Sequence, residues 1–166
     1  VPMTAREESV QIAGADPVTV TVRTTAHGPL LSDAAEGAAR VGRGARVPEE
    51  APSAVGSGYG VALAWTGATP GTSMNGLLAL SRARDFDAFR KAAALISAPA
   101  LSPVYADGQG HIGYTAAGAV PERPQVLPSE ELPADGTWPQ PGCTSDRDWE
   151  GLIDSADLPW VQDPAE

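Results

Sequence analysis

Cysteine is almost missing from these 166 residues: Cys143 stands alone, so no disulfide can form within the chain. Lysine is almost missing too, with Lys91 set against ten arginines. Aromatic residues make up 5%, and the longest apolar runs, at 61–65 and 92–96, fall far short of the roughly 20 residues that span a bilayer. No membrane-crossing helix and no membrane partner are therefore expected. Positive charge is scarce, since 11 Lys+Arg against 21 Asp+Glu leave a formal charge of −10. That excess repels phosphate backbones, and no Lys/Arg cluster carries interleaved aromatics, so nucleic acid is not an expected partner.

What is present suits a soluble domain or a part of one: 42% of residues are hydrophobic, and a chain of this length buries roughly two-thirds of its unfolded surface. The first residues, Val1-Pro2-Met3-Thr4, carry neither a start methionine nor the pattern of a secretion signal, and are expected to belong to an excised or processed piece.

Along the chain, residues 8–12 and 18–24 alternate at period two around Ala13-Gly14-Ala15-Asp16-Pro17, which predicts a β-hairpin. Val18, Val20 and Val22 share one face, as in a sheet buried on one side. His27-Gly28-Pro29 ends the strand. Residues 32–57 turn to Ala, Gly, Arg, Glu and Pro without a period and predict a long loop. Arg40, Arg43 and Arg46 are three apart, but Gly42 and Gly44 argue against a helix there. Residues 59–65 regain strand character, and 66–71 read as a turn.

Two helices are expected next. Thr72 or Ser73 caps the first, with Leu77, Leu78 and Leu80; Asp85 caps the second, with Phe86, Phe89, Ala93 and Ile96, stopped by Pro99. Residues 101–106 and 111–117 read as strands joined by the tight turn Asp107-Gly108-Gln109-Gly110. Beyond residue 121 the composition changes again, and residues 130–166 hold ten acids against the single Arg147. Residues 122–166 are expected to form an acidic, proline-rich, extended tail packed on a body at 1–121, with Trp138, Trp149 and Trp160 as anchors, the whole making one structural unit. The fold class is α+β: a mixed sheet of hairpins with two central helices.

Reactive side chains exist without a local signature. His27, His111 and Cys143 sit in no G-x-S-x-G, Walker A, H-E-x-x-H or C-x-x-C pattern. His27 and His111 read as structural histidines and Cys143 as an incidental thiol, lacking a nearby cation or helix N-terminus to activate it. Asp146, Asp148 and Glu150 alternate, but without an EF-hand's glycine pivot and terminal glutamate they read as a solvated acidic face.

The most specific pattern is Pro103-Val104-Tyr105-Ala106-Asp107-Gly108-Gln109-Gly110-His111-Ile112-Gly113-Tyr114, followed by Gly118-Ala119-Val120-Pro121-Glu122-Arg123. It resembles a hairpin hallmark of the penicillin acylase (penicillin amidase) family, Y-A-D-x-x-G-x-I-G-Y leading to G-x-x-P-x-R. Four further stretches agree in order: Arg23-Thr24-Thr25-Ala26-His27-Gly28-Pro29, one residue longer than the family's R-T-x-H-G-P, then Ala64-Trp65-Thr66, Ala83-Arg84-Asp85-Phe86-Asp87-Ala88-Phe89 and Leu158-Pro159-Trp160 with Asp163-Pro164. The resemblance covers nearly the whole chain.

The resemblance implies an interior segment of the β subunit of an N-terminal nucleophile hydrolase. In that family a self-cleaved precursor exposes a β-subunit serine whose own α-amino group is the base, and a backbone N–H with an asparagine holds the oxyanion. An α-amino pKa of about 8 suits that role near neutral pH. Mapped in order, this segment lies between the serine and the asparagine: Val1 is no nucleophile, and Asn75, the one asparagine here, falls in the wrong stretch. The isolated chain is thus expected to carry no catalytic residue and to be inactive, its partners being the α subunit, the rest of the β subunit and an N-acyl small molecule. Penicillin, a cephalosporin side chain and an acyl-homoserine lactone all belong to that substrate class.

By the same resemblance Leu80 and Leu101 occupy acyl-pocket positions, although a core role fits either as well. A leucine at 80, where relatives with aromatic acyl groups have tryptophan, implies a longer or aliphatic chain. No cofactor is expected in this segment; the family's calcium takes one ligand from around 128–131, with the others outside the chain. An extracytoplasmic location follows from the resemblance, and self-association of the cut segment from its exposed sheet edges. The competing expectation is a non-catalytic binding or scaffold domain derived from the acylase spacer. A third is an unrelated enzyme built on His27 or Cys143.

Overall fold

A computed structural model describes residues 3–45, 59–125 and 135–164. It is a mixed α and β structure of small antiparallel sheets and short helices, in two compact units that interleave in sequence: Val1–Trp65 with Arg123–Asp148, and Thr66–Glu122 with Trp149–Glu166. This differs from the single unit, divided into body and tail at 121/122, read from composition. The acidic segment does not behave as one tail, because its first part packs with the hairpin region while its last part supplies strands to the second unit.

In the first unit β1 (Thr4–Val10) pairs antiparallel with β2 (Val18–Thr25), with Val10 opposite Val18 and Thr4 opposite Thr24. The turn includes Gly14 at φ 79°, a conformation glycine adopts without strain. A short β3 (Gly28–Pro29) folds back on the end of β2. The expected valine face exists in register but is not buried: Val18 and Val20 stay nearly half exposed, because no second layer among the described residues covers them. The strand read at 59–65 is reduced to a bridge between Leu30 and Ala62, backed by the Leu63 N–H on the Pro29 carbonyl at 2.9 Å.

The loop expected over 32–57 is corrected at its start. A 3₁₀ turn at Leu31–Asp33 leads into the helix α1 (Glu36–Arg43). The two glycines that argued against it have other roles. A side chain at Gly42 would strike the Tyr59 carbonyl, so glycine permits close packing, and Gly44 is the residue that ends the helix. Arg40 and Arg43 sit in the last turn, where they complement the carbonyl end of the helix. Arg46 lies outside the described residues.

The second unit holds the core. Helix α2 (Ser73–Leu80) follows Thr72, whose hydroxyl donates to the Leu95 carbonyl at 2.6 Å instead of capping its own helix. Helix α3 (Phe86–Ala93) is capped as expected, with Asp85 Oδ1 accepting from Ala88 N–H at 2.7 Å. It ends at Ala93, short of the expected Ile96, because the next turns tighten to i→i+3 bonds at Leu95 and Ile96 well before Pro99.

The predicted hairpin forms from β4 (Val104–Ala106) and β5 (Ile112–Thr115), extended by a bridge between Leu101 and Ala117. Of the turn glycines only Gly110 adopts positive φ, at 93°. A two-stranded pair, β6 (Pro121–Glu122) with β7 (Gly151–Leu152), and a last strand β8 (Trp160–Gln162), which adds to β5, complete the unit. Phe86, Phe89 and Tyr105 form one core cluster, with Phe86 and Tyr105 edge to face at 5.6 Å. Ala93, Ile96 and Ala117 form a second.

Of the three expected tryptophan anchors, Trp160 lies 6.1 Å from the Phe86 ring under the Arg90 guanidinium at 4.0 Å, whereas Trp138 is exposed. No helix among the described residues is long and apolar enough to cross a membrane.

Candidate functional site

The two pocket candidates both lie in the second unit. Leu80 ends α2 and packs against both core clusters, which makes it a joint between them. Leu101 exchanges backbone bonds with Ala117, at 2.8 and 2.9 Å, and its side chain is more than a third exposed. Ala117 thus relates the two positions, belonging to a cluster Leu80 packs against and pairing directly with Leu101.

The approach to Leu101 is held from α2. Ser73 Oγ accepts from the N–H groups of Ser97 and Ala98, each at 3.1 Å, and lies 3.2 Å from Ser97 Oγ. Gly76 lets α2 come close, since a methyl there would sit 2.7 Å from Ile96 Cγ1. An open depression beside α3 is lined by Asp85, Phe86, Asp87 and Gln162 and includes neither leucine.

Both histidines pair with carboxylates far away in sequence. In the first unit His27 Nε2 lies 2.6 Å from Asp148 Oδ1, while its backbone N–H donates to Thr25 Oγ1 at 3.1 Å. Gly142 sits against the imidazole, where a Cβ would be 3.2 Å from Nδ1. Cys143, next in the chain, is a half-buried free thiol. Asp146 accepts from the Thr144 hydroxyl at 3.1 Å. Asp146 and Asp148 of the expected acidic face are thus engaged with protein groups, and among the described residues no cluster of three or more His, Cys, Asp or Glu is placed to hold a metal ion. Residues 128–131, which the resemblance links to calcium, lie outside the described residues.

In the second unit Asp107 organises the β4–β5 turn. Its Oδ1 accepts from the Gln109 and His111 N–H groups at 2.9 and 3.0 Å, and its Oδ2 from the Tyr105 hydroxyl at 3.0 Å. Desolvation pushes this carboxyl up, but the backbone donors and the phenol prevail and hold it below the usual range. Tyr105 moves the other way, raised by desolvation and by the neighbouring carboxylate.

On the far side of His111, Nδ1 lies 2.8 Å from Asp163 Oδ2, and the Ile112 N–H donates to Asp163 Oδ1 at 2.9 Å. Those donors, the Ile112 amide first, lower the Asp163 pKa against desolvation. Neither the His27–Asp148 nor the His111–Asp163 pair was legible in sequence, because the partners are 121 and 52 residues apart and no local pattern marks them.

Comparison with known proteins covers the whole length. The chain is 31% identical over 163 residues to the acyl-homoserine lactone acylase QuiP of Pseudomonas fluorescens (strain Pf-5), spanning 98% of this chain and 17% of that protein. The QuiP acylase of Pseudomonas aeruginosa PAO1 is likewise 31% identical, again over 98% and 17%. The chain thus spans about a sixth of the length of these relatives. Among solved structures, a thermostable penicillin G acylase from Alcaligenes faecalis superposes with a TM-score of 0.65 at 21% identity, covering 98% of this chain and 24% of that one, which is a likeness of fold. The penicillin amidase family model matches residues 1–166, and the chain belongs to that family.

Proposed function

We propose that these residues form an interior segment of an acylase that hydrolyses the amide bond of an N-acyl compound, with acyl-homoserine lactones as the favoured substrate class. The observation that carries this reading is the end-to-end match to the penicillin amidase family together with 31% identity to acyl-homoserine lactone acylases. In this reading the segment is scaffold and pocket wall. The N-terminal serine, its α-amino base and the oxyanion asparagine belong to the parent enzyme outside these residues.

Leu80 and Leu101 are proposed to face the acyl chain, with α2 and the Leu101–Ala117 bridge as their supports. A leucine leaves more room than an indole, which favours an aliphatic acyl group over a phenylacetyl one. The remainder of the enzyme is the proposed macromolecular partner, and an extracytoplasmic location the proposed setting.

The test is expression of the full reading frame, alongside the 166-residue segment, with hydrolysis of N-acyl-homoserine lactones of graded chain length and of penicillin G followed by release of the free amine. Activity in the parent, none in the segment, and a preference for aliphatic acyl groups are expected. A parent that releases no amine from either substrate class would leave the scaffold reading in its place.

A further inference from the structure

Residues 135–148 of the first unit contain neither helix nor strand, and none of them is buried. Burial of apolar surface, the usual source of docking strength, is therefore not what holds this segment in place. Much of its bonding is local. Thr137 N–H donates to Asp135 Oδ1 at 2.8 Å, Gln140 Nε2 to the Trp138 carbonyl at 3.1 Å, and the Thr144 hydroxyl to Asp146 Oδ2 at 3.1 Å. Bonds of this kind shape a segment without attaching it.

The attachment to the hairpin region is at His27. Asp148 Oδ1 lies 2.6 Å from His27 Nε2, and an ionised carboxylate only accepts, so Nε2 carries the proton. Gly142 packs on the same imidazole, where a Cβ would be 3.2 Å from Nδ1 and 3.3 Å from Cε1. The ring thus meets the segment at two places six residues apart. The histidine is the firmer side of the contact. Thr25 Oγ1 accepts from the His27 N–H at 3.1 Å and donates to the Gly28 carbonyl at 3.3 Å, which fixes the backbone beneath the ring in the β2–β3 turn.

We infer that residues 135–148 form a strap across the β2–β3 turn, pinned by the His27–Asp148 pair, and that the strap opens as a unit of its own while the β1–β2 hairpin stays folded. Segments with little buried surface and few long-range bonds are the ones that open locally at low cost. Opening uncovers the His27 side chain, 24% exposed in the pinned state, together with the half-buried Cys143. Cys143 reports the motion and is given no chemical role. These contacts lie within the first unit and stand apart from the acylase reading.

The test is made on the protein of the full reading frame under native conditions. Alkylation of Cys143 by iodoacetamide and brief trypsin cleavage after Arg147, both read by peptide mass, measure opening. Amide hydrogen exchange in the β1–β2 ladder measures whether the hairpin stays folded. His27→Ala and Asp148→Ala are each expected to raise the rate of Cys143 alkylation by about 3- to 10-fold, the range for one partly exposed charge-assisted hydrogen bond, with ladder exchange within about twofold of wild type. Trypsin cleavage should rise in parallel in His27→Ala, which leaves the residues around the cut unchanged. The double variant is expected to match either single one, because both remove the same contact. Asp148→Asn keeps an acceptor for Nε2–H and should lie closer to wild type than Asp148→Ala. Unchanged alkylation in His27→Ala, additive effects in the double variant, or an equal rise in ladder exchange overturns the strap, the last because the segment would then open only together with the hairpin.

Discussion

Single side chains set the local order of the second unit, and their removal has calculable consequences. Asp85 caps α3 through one bond to Ala88, so Asp85→Ala is expected to cost about 1 kcal/mol, read as a lower urea midpoint with an unchanged slope. Gly113 lies under the Phe86 ring, which a new methyl would strike, and Phe86 is 4% exposed at the centre of the aromatic cluster. Gly113→Ala therefore overpacks the core and is expected to destabilise by about 1–3 kcal/mol.

The carboxylates give the pH dependence. Hydrogen bonds from Arg23 hold Asp33 below its usual range, and Asp107 and Asp163 are lowered by the donors already described. A carboxyl lowered in the folded state contributes stability that is present above about pH 4 and is lost as pH falls through the lower folded value. Urea unfolding between pH 2 and 6 should show that loss, and Asp107→Asn should flatten it.

At the scale of elements, α2 is the support for both pocket candidates, through Leu80 at its end and Ser73 at its start. Leu80→Ala removes packing from two clusters at a partly exposed position, so a loss of about 1–2 kcal/mol is expected, below the range of fully buried leucines. In the proposed parent acylase Leu80→Trp should shift the ratio of kcat/KM from long aliphatic toward shorter or aromatic acyl groups. An unchanged ratio would return Leu80 to a purely structural role.

The elements also show which signals sequence carries. The Asp85 cap, the Asp107–Gly110 turn and the two hairpins are local, and each was legible from residues within a few positions. Helix α1 was not, because Gly42 and Gly44 weigh against a helix on propensity alone. Only the approach of the Tyr59 backbone, from a distant stretch, explains why Gly42 is needed there. Strand β8 was likewise illegible as a strand, since its pairing to β5 spans about fifty residues of chain. Leu80 and Leu101 are candidates through family resemblance alone, and their link through Ala117 is visible only in the fold.

For the molecule as a whole, apolar burial is distributed unevenly. Phe86, Phe89, Ile96, Tyr105 and Leu158 are buried in the second unit, whereas among the described residues of the first only Leu30 is a buried large apolar side chain. Val10, Val18, Val20 and Met3 on or beside the first hairpin are about half exposed, as are Leu77 and Leu78 in the second unit, where Met74 is 69% exposed. Ordering a residue costs about 1–2 kcal/mol of backbone entropy, which a hairpin with both faces open to water cannot offset alone.

The charge of −10 opposes association at low ionic strength, and salt screens it. The isolated segment is therefore expected to self-associate through these faces, more strongly as salt rises from about 0.05 to 0.5 M, over which the Debye length falls severalfold. Sedimentation velocity at two salt concentrations, with binding of a hydrophobic dye, makes the measurement. Val18→Thr with Val20→Thr should weaken association while leaving the β1–β2 register intact, because threonine keeps the β-branched shape. A segment that stays monomeric and dye-free in high salt would show that these faces need no cover, and with it the idea that the rest of an enzyme closes over them would lose its physical basis.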